Sequence, residues 1–268
     1  MCTREELISV ERLKRDIKQA AISLSDTEAR FLVDAYYQMQ ADRIRAEGQV
    51  RSMDTEPHAI LSWLGKQSNV LETQVKAALD VYSNGHPIGK RMRTIIGIGP
   101  VISAGFLAHI DITRANTAGA IWRFAGQDPT STWSKGEKRP HNASLKTLCW
   151  KLGESFVKFK NHEHGFYGRI YDQRKTEETT RNQAGEFAEQ AELSLERKRY
   201  KKTTDAYKCY IEGKLPPAHI HARAKRYAVK MFLSHLHEVW YEHHHKKPAP
   251  APYVMVHAGH THKVEPPF

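Results

Sequence analysis

A chain of 268 residues with 40% hydrophobic content is long enough to bury a large core, and a formal charge of +11 makes polyanions its default partner. An isoelectric point near 9.5 and a mean hydropathy of −0.62 indicate much exposed helix, and no apolar run is long enough to span a bilayer. The opening MCTREELISVERLKRD lacks a signal-peptide core, and the scattered Cys2, Cys149 and Cys209 have no metal spacing, which fits a reducing cytoplasm.

The first part reads as helix throughout. Glu5 to Ala21 carries Leu7, Ile8, Val10, Leu13 and Ile17 at helical spacing. Ser25-Asp26-Thr27-Glu28 is a capping sequence that opens a helix over Ala29 to Val50, with Phe31, Leu32, Ala35, Tyr36 and Met39 as its apolar stripe. A third helix is expected after Pro57, through Ile60, Leu64, Val70, Leu71, Val75 and Leu79 to Tyr82, stopped by Asn84-Gly85-His86-Pro87. Long polar-faced helices of this kind pair as a coiled hairpin or a dimer interface.

A middle module follows from Ile88 to Tyr171. It opens with TIIGIGPVISAGFLAHIDI (Thr94 to Ile112), in which Pro100 suits the first turn of a helix from Val101 to His109. Next come IWRFAGQDP, the basic loop TSTWSKGEKRPHN and the helix ASLKTLCWKLGESFVKF. In that helix Leu145, Leu148, Cys149, Leu152 and Phe156 share one face, away from Lys146, Lys151 and Lys158. Asp172 to Lys202 is strongly charged with little apolar period, and reads as an exposed helical insertion. Leu215-Pro216-Pro217 precedes a last long helix, AHIHARAKRYAVKMFLSHLHEVWYE. The Pro/His-rich tail is expected to lie extended along the surface. The expected fold is all-α: residues 1–87 as a helical, coiled region, 88–247 as a nucleic-acid-binding domain with a charged insertion at 172–204, and 248–268 as tail.

Several chemistries compete for these residues. A dinucleotide fingerprint needs glycine where Ile102 stands, and no phosphate-loop Gly-Lys-Ser/Thr follows. A helix-hairpin-helix fits better: Gly97-Ile98-Gly99 lets the backbone approach a phosphate, with Arg91 and Arg93 upstream; a plain helix–helix turn fits the same residues. The pairs His219/His221 and His235/His237, and the clusters His243 to His245 and His257/His260/His262, raise the question of metal. Two histidines at i and i+2 on a helix diverge by about two hundred degrees, and the zincin-like His237-Glu238 meets Tyr241 where a histidine is needed. No metal site and no cofactor is expected. Asp16, Asp34, Asp42 and Asp54 are scattered, unlike the convergent carboxylates of a metal-dependent nuclease. Ser134, among Lys135, Lys138 and Arg139, is the one candidate nucleophile, although the same cations serve a loop that only binds phosphate. On the last helix Ala222, Tyr227, Ala228, Met231 and Phe232 are placed inward. His221, Arg223, Lys225, Arg226 and Lys230 form a basic strip, with Tyr227 and Trp240 as stacking rings.

The order IIGIGPVISAGFLAHI, WRFAGQDP, basic loop with Ser134-Lys135-Gly136 and Lys-rich helix resembles the C-terminal module of bridge-RNA-guided insertion-sequence transposases. That module is itself similar to the Nop domain of box C/D ribonucleoproteins and of TIGR-associated (Tas) RNA-guided proteins. The resemblance covers about Ile88 to Tyr171 and extends to the AHIHARAKRYAVKMF helix. It implies a Nop-like domain that holds a small structured guide RNA and finds target DNA, without a nuclease of its own but with one in trans. A homodimer paired through the N-terminal helices is expected, in a prokaryotic cytoplasm, encoded by the cell, a phage or a mobile element. The expected RNA and DNA contacts are Arg91, Arg93, Gly97, Gly99, Arg123, Gln127, Trp133, Ser134, Lys135, Lys138, Arg139, His141, Asn142 and Lys146, then His219, His221, Arg223, Lys225, Arg226 and Lys230. Ser134 falls near the nucleophilic serine of those transposases, but Ser-Lys-Gly replaces their Ser-Gly. Their RuvC-like acidic domain has no counterpart in this N-terminal sequence. The alternatives are a serine-dependent strand-transfer protein and a structural DNA-binding protein using the hairpin alone.

Overall fold

The computed structural model describes residues 11–53, 59–251 and 263–268, and every regular element among them is a helix. Cys2, Leu7, Ile8, Val10, Asp54, Pro57, His257, His260 and His262 lie outside the described residues. The helices are α1 (Arg15–Ala20), α2 (Asp26–Arg51), α3 (Ala59–Gly85), α4 (Pro87–Met92), α5 (Pro100–His109), α6 (Ala118–Phe124), α7 (Ala143–Lys158), α8 (Phe166–Gln183), α9 (Ala188–Arg197), α10 (Asp205–Ile211) and α11 (Pro217–His245). The chain divides into two compact units, one of residues 1–94 with 98–111, the other of 95–97 with 112–268. Helices α4 and α5 belong to the first unit.

In the first unit, Ser25 caps α2 through a complete capping box. Its side chain accepts from the Glu28 N–H at 3.3 Å, and Glu28 Oε2 accepts from the Ser25 N–H at 2.8 Å. The Ser25 hydroxyl also donates to Glu28 Oε2 at 2.7 Å; that bond first, and the Ser25 N–H second, favour the ionised carboxylate, so Glu28 titrates below the usual carboxylate range. Helices α2 and α3 run antiparallel: the Tyr82 hydroxyl donates to Asp26 at 3.1 Å near one end, Arg43 meets Glu72 at 2.6 Å further along, and Gly65 faces Ala46 beyond that. Val33, Tyr36 and Leu79 form the apolar centre, and α5 adds Val101 and Ala104 to it. The Arg30 guanidinium ties α2 to the last turn of α5 by donating to the Ala108 carbonyl at 2.6 Å. The stripe is rotated from the expected one. Ala29, Val33 and Tyr36 are buried, whereas Phe31 is 71% exposed because it points away from both partners. Glu11–Lys14, expected as helix, are not helical; the Leu13 N–H instead donates to Gln74 Oε1 at 2.7 Å.

In the second unit, α11 is the central element and α6, α7 and α8 pack on it. Its buried stripe is Ile220, Ala224, Ala228, Phe232 and Leu236, a run of i+4 steps in which two alanines allow close approach. Ala222, Tyr227 and Met231 are only partly covered. The expected face of α7 is buried as read, from Leu145 to Phe156. Phe156 stacks on Tyr167 of α8 with centroids 4.8 Å apart, and Cys149 is buried in the same core, its thiol pushed up by burial. Segment 172–204 is exposed on its outer faces and anchored on its inner ones. Glu178 of α8 is 2% exposed, and Phe187 and Ala191 join Tyr210, Leu215 and Ile220 in a second apolar cluster.

Two α11 histidines are structural. His235 Nε2 donates to the Val264 carbonyl at 2.8 Å, so its Nδ1 accepts from the Tyr167 hydroxyl at 2.8 Å. His237 Nε2 donates to the Ala115 carbonyl at 2.9 Å. Residue Phe268 stacks against Phe232, centroids 6.4 Å apart, so 263–268 lies along α11. Burial lowers His235 from 6.5 to about 4. The folded chain therefore binds fewer protons than the unfolded one between those values, and this contribution is complete above pH 6.5 and lost as pH falls towards 4. The loss reaches about 3 kcal/mol. Thermal melts from pH 7 to 4 should show a shallower acid slope in His235→Gln than in wild type; equal slopes would reject the assignment.

Candidate nucleic-acid interface

The basic loop is pinned at both ends. The side chain of Asn142 caps α7 by accepting from the Leu145 N–H at 2.8 Å, while its own N–H donates to the Phe124 carbonyl at 2.9 Å. The cap uses Asn142 Oδ1 and fixes the end of the loop. At the other end, Asp128 accepts from the Thr130 N–H and hydroxyl at 2.9 and 2.7 Å and from Arg123 Nε at 3.3 Å. Those Thr130 bonds, and then Arg123, hold its carboxyl below the usual range. Gln127 and His141 are half-buried at the loop base; burial first, then Lys146 and Arg139, keeps His141 below the usual histidine range. Residues 129–140 between are all exposed.

The loop tip is built around a turn. Glu137 N–H donates to the Ser134 carbonyl at 3.2 Å, the Ser134 N–H donates to Glu137 Oε2 at 3.0 Å, and Gly136 takes φ +100°. That φ suits glycine, since an L side chain there clashes with its own backbone. The indole of Trp133 donates to the Glu137 carbonyl at 2.9 Å and lies under the Arg139 guanidinium, 5.6 Å from ring centre. Ser134, Lys135, Lys138 and Arg139 thus sit together on an ordered, exposed turn.

A second cationic group is organised by Glu178. Its carboxylate accepts from Arg223 Nε at 2.6 Å and pairs with Arg174 at 2.5 Å and, more loosely, with Arg181 at 3.9 Å. Burial alone would raise its pKa, but Arg223 and then Arg174 hold it below the usual carboxylate range. Arg223 also donates to Gln190 Oε1 at 2.7 Å and stacks on Phe187 at 4.5 Å. Arg174 stacks on Tyr227 at 4.7 Å, and Lys230 on Trp122 at 5.1 Å, whose indole donates to the Lys230 carbonyl at 3.2 Å. Burial, then the charges of Arg226, Arg174 and Arg223, pushes Lys230 below the usual lysine range. Arg226 itself is exposed. Arg174 also pairs with Glu177 at 3.3 Å and Arg181 with Glu186 at 2.7 Å, so Arg226 and Lys230 are the cations of this group that a phosphate would answer.

Not every expected residue is free for a ligand. Lys225 is 12% exposed and paired with Glu154. His221 Nδ1 bonds the Tyr171 hydroxyl at 2.7 Å and His219 Nδ1 the Tyr210 hydroxyl at 3.3 Å; both rings lie below the usual histidine range, from burial first and neighbouring cations second. Trp240 is 7% exposed and cannot stack on a base, because α11 is buried on nearly all sides in its second half.

The glycine hairpin serves packing within each unit. Gly97 takes φ +97°, and its carbonyl accepts from the Ser155 hydroxyl at 2.6 Å. A Cβ there would meet Ser155 Oγ at 3.1 Å. Gly99 caps α5 without a side chain. Arg93 pairs with Asp80 at 2.7 Å, whereas Arg91 is exposed. Arg91, Arg93 and Gly99 fall in the first unit, and Gly97 with the remaining site residues in the second. Sequence reasoning missed Arg174, Arg181 and Glu178, although R-x3-E-x2-R at i+4 and i+3 spacing was a readable signal.

Residues 89–161 match the family model described as Transposase IS116/IS110/IS902 family, just over a quarter of the chain. This segment is transposase-related; it runs from α4 through the hairpin, α5, α6 and the basic loop to the end of α7. No curated protein and no solved structure matches the chain.

Neutralising Glu178 should release the arginines around it. Glu178→Gln is expected to destabilise the chain by about 2–3 kcal/mol in urea denaturation at pH 7, since it leaves the half-buried Arg223 and Arg174 without the carboxylate that they share. Sulfate should recover part of that loss by sitting among the guanidiniums. A change below about 1 kcal/mol would show that Glu178 is not the organising charge.

Proposed function

We propose that this chain is the RNA-holding component of a transposase-related, RNA-guided ribonucleoprotein. The observation that carries the reading is the exposed, ordered turn Trp133 to Arg139 inside the segment that matches the transposase family. A Nop-like helical domain would grip a small structured guide RNA through its phosphates. Lys135, Lys138, Arg139 and Lys146 supply one cationic group and Arg226 with Lys230 another. Base pairing between guide and target DNA then carries sequence specificity, and the protein reads backbone shape. Cleavage falls to a nuclease in trans.

Pairing of two copies through α2 and α3 is supported by the exposed Phe31, Ile44, Ile60, Trp63 and Leu64 on those helices. The reading places the complex in the cytoplasm; among the described residues no helix is long and apolar enough to cross a membrane.

A second reading starts from Ser134, which lies inside the matched segment. Ser134 is exposed among three cations: on this reading its Oγ bonds to the phosphorus of a DNA phosphodiester as one bridging P–O bond breaks, the hydroxyl proton passing to water and the departing deoxyribose oxygen taking up a proton, while Lys135, Lys138 and Arg139 stabilise the added negative charge. Ser134→Ala would abolish strand transfer on this reading and leave RNA binding intact on the first.

The leading reading is tested by purifying the full chain and sequencing the RNA that accompanies it. One discrete structured RNA species is expected. The binding constant of that RNA should fall linearly with salt on logarithmic axes, and Lys135→Ala/Lys138→Ala/Arg139→Ala should flatten the slope by about 2 to 3. Absence of any bound RNA together with a salt-independent affinity would overturn it.

A further inference from the structure

Trp150 lies midway along α7 and is 58% exposed. A single exposed apolar side chain is ordinary. Its surroundings are not. The ammonium of Lys225, from α11, sits 5.7 Å from the ring centre, and Glu154, one turn along α7, pairs with that same ammonium. The Lys225 stem is held down by Gly153, where an added Cβ would meet its Cβ and Cδ at 3.7 and 3.8 Å. Lys225 is therefore a fixed support under one side of the indole, its charge already answered by Glu154.

Two further indoles of the same unit are arranged alike, Trp122 with Lys230 and Trp133 with Arg139. A cation on one side of a ring leaves the other side for a second flat partner. Lys146, one helical turn before Trp150, is exposed, and its Cδ lies beside Gly126 and His141 at the base of the basic loop. The loop base, Lys146 and Trp150 thus form one track along the second unit.

We infer that Trp150 is a stacking platform for an unpaired base of a bound single strand, with Lys146 on the flanking phosphate and Lys225 positioning the ring. The inference rests on the nucleic-acid-binding reading above. Flat aromatic partners with a phosphate at fixed distance are the chemistry that an open indole beside an exposed lysine recognises. Bases inside a duplex have both faces covered by stacked neighbours, so a continuous duplex would engage the cations only.

The test uses the full chain freed of nucleic acid, with oligoriboadenylate of about 12 nucleotides, oligodeoxyadenylate, and a blunt RNA duplex of the same length. Trp150→Ala should weaken oligoriboadenylate binding about 5- to 100-fold, whereas Trp150→Phe stays within about threefold. The salt slope should not change in either, because no phosphate contact is lost, and duplex affinity should hold. Lys146→Ala should instead reduce the salt slope by about 0.7. A matching loss on oligodeoxyadenylate would extend the platform to DNA strands, and a loss confined to oligoriboadenylate would assign it to RNA. Circular dichroism melts of Trp150→Ala should match wild type. The platform is overturned if Trp150→Ala binds the single strand within about twofold of wild type, or loses duplex equally, while salt-dependent binding persists. No salt-dependent binding of any probe by the wild type would overturn the nucleic-acid reading and the platform with it.

Discussion

The second unit depends on a carboxylate taken out of water. Glu178 is 2% exposed and stays charged only because Arg223 and Arg174 reach it within 2.6 Å. Removing a carboxylate from water costs several kcal/mol, which close guanidiniums offset when their remaining N–H groups are also engaged. Here Arg223 finds Gln190 and the face of Phe187, and Arg174 the ring of Tyr227. The arrangement locks α8, α9 and α11 to one another in a segment with little apolar surface. It also holds several guanidiniums in place, so less side-chain entropy remains to be lost when a phosphate arrives.

How legible this was depended on the period of each signal. Ser25 and Glu28 are three residues apart and their interaction is local, so the start of α2 could be read within one turn. The face of α7 carries five apolar residues at helical spacing, and all of them are buried. The stripe of α11 was harder. Ala224 and Ala228 are small, and a reading that weights large side chains places Tyr227 and Met231 inward instead. The anchor at Glu178 was hidden because a charged helix without apolar period looks solvated; what buries it arrives from Arg223, 45 residues later.

The site was legible as composition and less so as chemistry. The cluster of cations between Lys135 and Arg139 is plain in the sequence, and the turn that orders it is local. Which α11 cations are already matched is a tertiary fact: Lys225 is taken by Glu154 and Arg223 by Glu178, while Arg226 is exposed. The histidines changed most in meaning. Counted along the chain they add latent positive charge, but burial keeps His219, His221, His235 and His237 in their neutral forms, each bonded to a tyrosine or a carbonyl.

The first unit holds a smaller version of the same device. Glu72 is 8% exposed between Arg43, Gln40 and Tyr36, a polar layer within the packed face of α2 and α3. Apolar hairpins slide, since one leucine replaces another at little loss. A slip of α3 by a single turn would carry Glu72 about 5.4 Å from Arg43 and leave a charge without an answer. The layer therefore acts as a register pin: it adds little to cohesion and specifies the alignment in which Leu79 meets Tyr36 and α5 finds its seat.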